Sequence, residues 1–353
     1  MLVVRAPGRV NLIGDHTDYQ DGLCLPMAID REVVVRARPR RDAMIVARSD
    51  AAEGVVELPA RGDTEPAVVE PRWGRSIAAV LQGLAEQGRA PIGFDADVSS
   101  TLPVGSGLSS SAAFTVAMAI VAAEIGGLAL DGRTLAVAAQ TAEQQATGLP
   151  CGVMDQMASV FGRAGHALLL DCRSLDIEAI PLPASVEVAV IHTGVARRLE
   201  DSAYAQRRAA CESAAANLGL ATLRDATINQ VAADPFARHV VSEIQRVLAF
   251  VAALRAGNLE ECGLLMNASH ASLRDDFQVS TLELDALVDS LLASGALGAR
   301  LTGAGFGGCV VGLVAAGGVN GVVANAAARY RSTTGLTPIP LVVRAVDGAG
   351  LVS

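Results

Sequence analysis

The sequence predicts a mixed α and β protein, folded as one large domain or two intimate lobes around a shared site. Three observations predict it. Strand-like and helix-like stretches follow one another along 353 residues; the chain is 51% hydrophobic against 18% charged, enough to bury a large core; and no repeat or low-complexity linker separates its halves. Pro181 and Pro183 mark the boundary between a first lobe, residues 1–185, and a second, residues 186–353.

In chain order, Val3 to Ala6 and Val33 to Ala37 read as short strands on either side of a polar stretch, itself a loop with a turn at Asp21-Gly22. Residues 40 to 72 mix charges, Gly and Pro with Val-rich pieces, the pattern of antiparallel strands and turns. Apolar residues at 77, 80, 81 and 84 give Gly74 to Gln87 a helical period, and Phe94 to Val98 is a strand. After Pro103 come a glycine-rich loop, a serine cluster and a long apolar helix. A second helix covers about Thr134 to Thr147 and ends at Gly148-Leu-Pro150. Val186 to Ile191 is a strand, and 200 to 218, 239 to 255, 258 to 272 and 280 to 294 have helical period. The chain closes with a glycine-rich turn, Leu301 to Cys309, a strand Val310 to Val314, a helix near 319 to 331 and a strand near 339 to 346.

Composition excludes several function classes. A formal charge of -9 argues against nucleic acid or an anionic membrane surface as partner, since both need clustered positive charge. A small molecule is the expected partner. The sequence contains no lysine, so all 28 cationic side chains are Arg, and a Walker-type lysine, a protein-kinase strand lysine and a Schiff base are all ruled out. Six cysteines without a CxxC pair and five histidines without HExxH leave no zinc or redox motif; reduced thiols and a short, early-charged amino terminus give a cytoplasmic expectation. Ala112 to Leu130 is almost wholly apolar, but Glu124 and Gly126-Gly127 interrupt it, and it reads as a buried core helix rather than a membrane span.

Chemistry concentrates in four places. Residues 8 to 19, Gly-Arg-Val-Asn-Leu-Ile-Gly-Asp-His-Thr-Asp-Tyr, gather Arg9, Asp15, His16, Asp18 and Tyr19, the donors and carboxylates that grip a polyhydroxylated molecule beside an anion. Pro103-Val-Gly-Ser-Gly-Leu-Ser-Ser-Ser-Ala-Ala113 feeds glycines and hydroxyls into a helix amino terminus, where backbone N-H groups and the dipole favour phosphate without any lysine. One serine would suffice as a helix cap. A bound triphosphate calls for Mg²⁺, which Ser111 and a helix acid such as Glu143 could hold; alone, Glu143 reads equally as a solvated helix residue. Asp155 sits among apolar neighbours and needs a partner: paired with Arg9 it could take or steer the proton of a sugar hydroxyl, and unpaired it could cap a helix. The turn Leu301 to Cys309 gains weight only beside the first loop.

Together, Arg9 to Tyr19, Pro103 to Ala113, Cys151 to Gln156 and Leu301 to Cys309 resemble, in order and spacing, the motifs of galactokinases in the GHMP small-molecule kinase superfamily. The resemblance implies an α+β fold with an amino-terminal lobe like domain 2 of ribosomal protein S5 and a ferredoxin-like carboxy-terminal lobe. It implies ATP and Mg²⁺, and phosphorylation of the anomeric hydroxyl of D-galactose. By position, Arg9 and Asp155 match the catalytic pair. Gly105, Ser106, Gly107, Leu108, Ser109, Ser110 and Ser111 match the phosphate loop, Ser111 and Glu143 the Mg²⁺ ligands, and Asp15, His16, Thr17, Asp18, Gly152 and Tyr204 the sugar site. Trp73 falls near where the family packs adenine, and is also read as plain core. The resemblance fixes no oligomeric state, and a monomer is compatible with it.

One residue departs from the family: Asp15 stands where Glu is usual, at the position that with His16 grips the C6 end of the sugar. A looser contact there costs about 1 kcal/mol, so L-arabinose, galacturonate and N-acetylgalactosamine join galactose as substrates to test. Two other readings compete. A catalytically silent sugar sensor would tend to lose part of the serine loop or the catalytic pair, and this chain keeps both. A kinase for mevalonate or homoserine leaves Asp15 to Asp18 unexplained, because carboxylates repel an anionic substrate.

Overall fold

The structure, a computed structural model, describes residues 1–103, 105–195 and 200–352. From the amino terminus run β1 (Leu2–Asn11), β2 (Leu23–Cys24), β3 (Pro26–Pro39), β4 (Met44–Ser49), β5 (Val56–Pro59), α1 (Gly74–Glu86) and β6 (Phe94–Ser100). Three helices follow, α2 (Ser110–Ile125), α3 (Gly132–Thr147) and α4 (Met154–Phe161), then β7 (His166–Asp171), β8 (Ile177–Pro181) and β9 (Val186–His192). The remainder is α5 (Glu200–Asn217), α6 (Pro235–Arg255), α7 (Leu259–Asp275), α8 (Leu282–Leu292), β10 (Gly298–Thr302), β11 (Cys309–Ala315), α9 (Val319–Thr334), β12 (Ile339–Val343) and β13 (Gly350–Leu351).

The strands form a six-stranded sheet in the order β13-β1-β3-β6-β4-β5, a four-stranded sheet β10-β11-β9-β12 and a small sheet β2-β7-β8. The first is antiparallel except where β4 runs parallel to β6, so the strands expected between 40 and 72 form a hairpin that joins its sheet by a parallel edge. The four-stranded sheet is antiparallel throughout. Residues 350–351 return to pair with β1, which ties the end of the chain to the first sheet.

The apolar stretch after the serine cluster is α2. Eleven of its residues, including Val116, Met118 and Val121, are buried, and it is apolar on every side because sheet and helices surround it. Helix α3 begins at Gly132, earlier than its apolar period suggests, because the Asp131 side chain accepts from the Thr134 N-H at 3.0 Å; it stops at Gly148, φ 75°. Helix α6 likewise starts ahead of its apolar period, capped by Asp234, which accepts from the N-H groups of Phe236 and Ala237, with Pro235 as first helical residue.

Five elements lack a clear sequence signal. Helix α4 is short, and the hairpin β7–β8, strand β10 and strand β13 are brief pieces whose pairing is decided by distant partners. The opening polar stretch also differs from expectation, since β1 runs on to Asn11 and so Arg9 sits on a strand rather than in a loop. The β1–β3 register slips between Pro7 and Arg9. Gly8 lies at that bulge, where a Cβ would come 2.4 Å from the Leu108 carbonyl oxygen, so only glycine lets β1 pass so close to the loop before α2.

Candidate active site

The end of β1 and the loop after it, the glycine-rich loop, the first turn of α4 and the turn after β10 converge on a cavity of about 310 Å³. Its lining includes Arg9, Asp15, His16, Asp18, Gly105, Gly107, Ser109, Ser110, Ser111, Glu143, Gly152, Asp155, Tyr204, Gly303 and Ala304. Residues read from four separate motifs thus meet in one place.

Arg9 lies at its base, 5% exposed. Its Nε and Nη2 donate to the two carboxylate oxygens of Asp155 at 2.8 and 3.0 Å, a two-pronged pair, and its Nη1 donates to the Gly107 carbonyl at 2.6 Å. Burial alone would lower the Arg9 pKa; the charges of Asp155 and Asp15 outweigh it and raise the value. Asp155 is in the first turn of α4, but its side chain caps nothing there and is paired with Arg9 instead. It also accepts from Ser109 Oγ at 2.5 Å. Ser109 precedes α2 with φ 62°, a left-handed conformation costly for a residue with a side chain, and the hydroxyl that could have capped the helix is spent on Asp155 instead.

The loop after β1 presents the remaining polar groups. Asp18 packs against Gly152 so closely that a Cβ on that glycine would come 1.8 Å from Asp18 Oδ2. Burial, together with the nearby charges of Asp155 and Asp15, pushes the Asp18 carboxyl up to about 7. Asp15 is 2% exposed and its pKa is raised by burial, against the pull of Arg300 and Arg9. His16 is held neutral by burial, with His239 adding to the effect, at about 3. Its Nε2 lies 3.1 Å from the Ala304 carbonyl oxygen, which can only accept, so Nε2-H donates there and Nδ1 accepts from the Tyr19 hydroxyl at 3.0 Å. His16 therefore ties the loop to the glycine turn while its ring borders the cavity. The Tyr204 ring stands 5.8 Å from His16 and 5.6 Å from Tyr19.

Three residues of the expected binding sets point their side chains elsewhere. Thr17 is fully buried, and its hydroxyl donates to the carbonyls of Gly14 and Leu23, so it holds the turn rather than facing the cavity. Ser106 donates back to the Pro103 carbonyl at 2.7 Å. Leu108 is a core residue whose carbonyl accepts from the Arg9 N-H at 3.1 Å.

Gly105 and Gly107 have φ of 69° and 76° and leave the loop backbone open toward the amino terminus of α2. Glu143 leans from α3 into the same space, where Gln156 Nε2 donates to its Oε2 at 2.5 Å. Burial and the Asp155 charge raise its pKa to about 7, and a hydrogen bond with Ser111 opposes this. It is not a solvated helix glutamate. A hydroxyl and a carboxylate beside the glycine-rich loop are hard oxygen donors of the kind that suit Mg²⁺.

A second cavity of about 390 Å³ adjoins the first through Ser110, Ser111, Thr147 and Leu149. Trp73, Arg72, Arg75, Ser76 and Phe114 border it. Trp73 donates through Nε1 to the Glu53 carbonyl at 3.1 Å and meets Phe114 edge to face. Its ring is thus fixed at the rim of a recess one step along from the glycine loop.

Two buried charges had no motif to announce them. Arg300 on β10 and Glu243 on α6 are both 0% exposed. The available signals were an Arg between Ala299 and Leu301 in an apolar strand, and an acid on the same helix face as His239 and Val247.

Comparison with known proteins places the chain in a family. Residues 2–39 match the galactokinase galactose-binding signature, residues 75–163 the GHMP kinase N-terminal domain and residues 250–330 the GHMP kinase C-terminal domain. A mevalonate kinase structure, 20% identical, superposes over 98% of this chain and 100% of its own with a TM-score of 0.73, a likeness of fold. Fold and paired domains define a GHMP kinase. Galactokinase from Roseiflexus sp. (strain RS-1) is 45% identical over 99% of this chain and 93% of its own. The crystal structure of Lactococcus lactis galactokinase complexed with galactose covers 99% of this chain and 94% of its own, at 31% identity and a TM-score of 0.93. The chain belongs to the galactokinase family.

Proposed function

We propose that the protein transfers the γ-phosphoryl group of ATP to the anomeric hydroxyl of D-galactose, giving galactose 1-phosphate and ADP. The observation that carries this reading is the Arg9–Asp155 pair, held between the loop bearing Asp15 and Asp18 on one side and the glycine-serine loop on the other. Asp15, Asp18, the Gly152 backbone and Tyr204 hold the sugar. The backbone of residues 105 to 111 and the amino terminus of α2 hold the phosphates, and the recess beside Trp73 takes the base.

In this mechanism the C1 oxygen attacks the γ-phosphorus in line, the bond from that phosphorus to the β-γ bridging oxygen breaks, and ADP leaves with the electron pair. Asp155 receives the hydroxyl proton, while Ser109 and Arg9 fix the direction of its carboxylate. Arg9 also sets its charge beside the phosphoryl oxygens as they gather negative charge. Mg²⁺ bound through Ser111 and Glu143 would neutralise charge on the β- and γ-phosphates. The lobe division near residue 185 puts sugar loop, phosphate loop and Asp155 in the first lobe and Gly303 with Tyr204 in the second, with the terminal strand returning to the first. The retained Asp155, Arg9 and Ser109 favour a kinase over a silent sensor.

Phosphorus NMR of a reaction with galactose and Mg-ATP tests this reading. An anomeric phosphate signal is expected; a phosphate ester at C6, or none while galactose binds, overturns it.

A further inference from the structure

Behind the sugar-facing loop lies a set of charges of which one, Asp15, reaches the cavity. Arg300 Nη2 stands 2.6 Å from Asp15 Oδ2 and 3.8 Å from Glu243 Oε1. The first is a close contact of charge rather than an aligned hydrogen bond, while Arg300 Nη1 donates to the Asn11 carbonyl at 3.3 Å. Glu243 accepts three hydrogen bonds: from the Gly14 N-H at 2.9 Å, Ser269 Oγ at 2.6 Å and Arg246 Nε at 2.7 Å. Asp15 Oδ1 accepts from the Gly303 N-H at 3.1 Å. Gly14 has φ 97°, and a Cβ there would lie 2.6 Å from the Leu23 carbonyl oxygen, so the peptide that Glu243 grips is already confined.

Two acids and two arginines balance in charge, yet burying them costs more than filling the same space with hydrocarbon. Only Asp15 among them borders the cavity. The set joins three segments distant in sequence, the loop after β1, α6 and β10, and on the first of these its contacts fall on the Asn11 carbonyl, the N-H of the Ile13–Gly14 peptide and the Asp15 carboxylate. A purely structural group would have no reason to finish on a cavity-lining side chain.

We infer that Glu243 and Arg300 are positioning residues for the sugar: a buried bracket that fixes the Gly14 peptide and aims the Asp15 carboxylate before substrate arrives. This rests on the reading that Asp15 faces the sugar. The bracket touches neither the glycine-serine loop nor the recess beside Trp73, so its loss acts on sugar affinity and leaves ATP affinity alone.

The test is a double-mutant cycle on full-length protein with R300M, D15N and the double variant, alongside E243Q and R300K. Galactose affinity is read by calorimetry, and KM for galactose, KM for ATP, kcat and Tm are measured in parallel. R300M should weaken galactose binding by about tenfold or more and shift the KM for ATP by less than about twofold, with R300K recovering part of the loss. In the D15N background R300M should add less than about twofold, because its target is gone. E243Q keeps the shape and an acceptor for Gly14, and carries the same sugar-selective loss if R300M does not fold. Independent, multiplicative effects of R300M and D15N would overturn the inference, as would parallel changes in both KM values that track Tm. Galactose binding without turnover in the parent protein would instead overturn the proposed reaction and leave the bracket to be judged by the binding cycle.

Discussion

Arg9 and Asp155, 146 residues apart in sequence, meet through two hydrogen bonds at 2.8 and 3.0 Å, and Ser109 adds a third to the same carboxylate. A strand, a loop and a helix are thereby locked to one another at a carboxylate that still borders the cavity. In the proposed reaction this pair stands where the sugar oxygen meets the phosphoryl group.

Replacing Asp155 by Asn removes the proton acceptor and leaves Arg9 buried without its counter-charge. D155N should lower kcat by about 10²–10⁴-fold with galactose still bound. Coupled ADP detection and calorimetric galactose titration measure the two sides; full turnover with unchanged sugar binding contradicts the assignment.

Ser109 separates stability from activity. Its left-handed φ of 62° costs a residue with a side chain about 1–2 kcal/mol, a cost glycine escapes. S109G should therefore melt above S109A, which loses the same hydroxyl but keeps the backbone cost, while it lowers kcat because the hydrogen bond to Asp155 is gone. S109A should lower kcat similarly and melt below S109G. Thermal melts with steady-state kinetics on the two variants check the pattern.

Gly152 has no room for a side chain, since a Cβ would meet Asp18 Oδ2 at 1.8 Å. G152A should push Asp18 out of place and raise the KM for galactose by about a hundredfold, with the KM for ATP little changed. Equal effects on both substrates would mean that Asp18 does not serve the sugar.

Asp18 and Glu143, both held up at about 7, predict two pH effects. Each has a folded-state pKa above its ordinary value, so its contribution to stability is full below about pH 4 and is lost as pH rises through about 7. Ligand-free protein should gain Tm from these groups as pH falls from 8 to 6, and D18N should flatten that gain and raise Tm at pH 8. Function moves the other way. Protonation of Glu143 competes with Mg²⁺, so the Mg²⁺ concentration for half-maximal rate should climb below pH 7, and E143Q should raise it by about tenfold or more at every pH. Melts and Mg²⁺ titrations across pH 5.5 to 8.5 check both.

The site was more legible in the sequence than the fold that carries it. Arg9, Asp15, Asp18, Asp155 and the loop glycines stand in short runs whose residue types have few other uses, and the structure brings them to one cavity. Helix α1 was readable because its burial follows local period, and α2 because a long run of small apolar residues follows the serine cluster. Strands β10 and β13 were not, because two to five residues become a strand only through partners far away in sequence. Thr17 and Leu108 lie within the right motifs but turn inward, and a motif does not say which of its side chains faces the ligand. Arg300 and Glu243 were faint in the sequence for the opposite reason. Their importance comes from being charged and fully buried, and burial is a property of the fold.

The most direct test of the central claim is ADP release with Mg-ATP over a panel of galactose, N-acetylgalactosamine, L-arabinose, galacturonate and glucose, on the parent protein and on D155N. The account predicts galactose-dependent release by the parent protein, little with glucose, and near-complete loss in D155N. No release with any sugar of the panel, or release indifferent to sugar and to D155N, would contradict it.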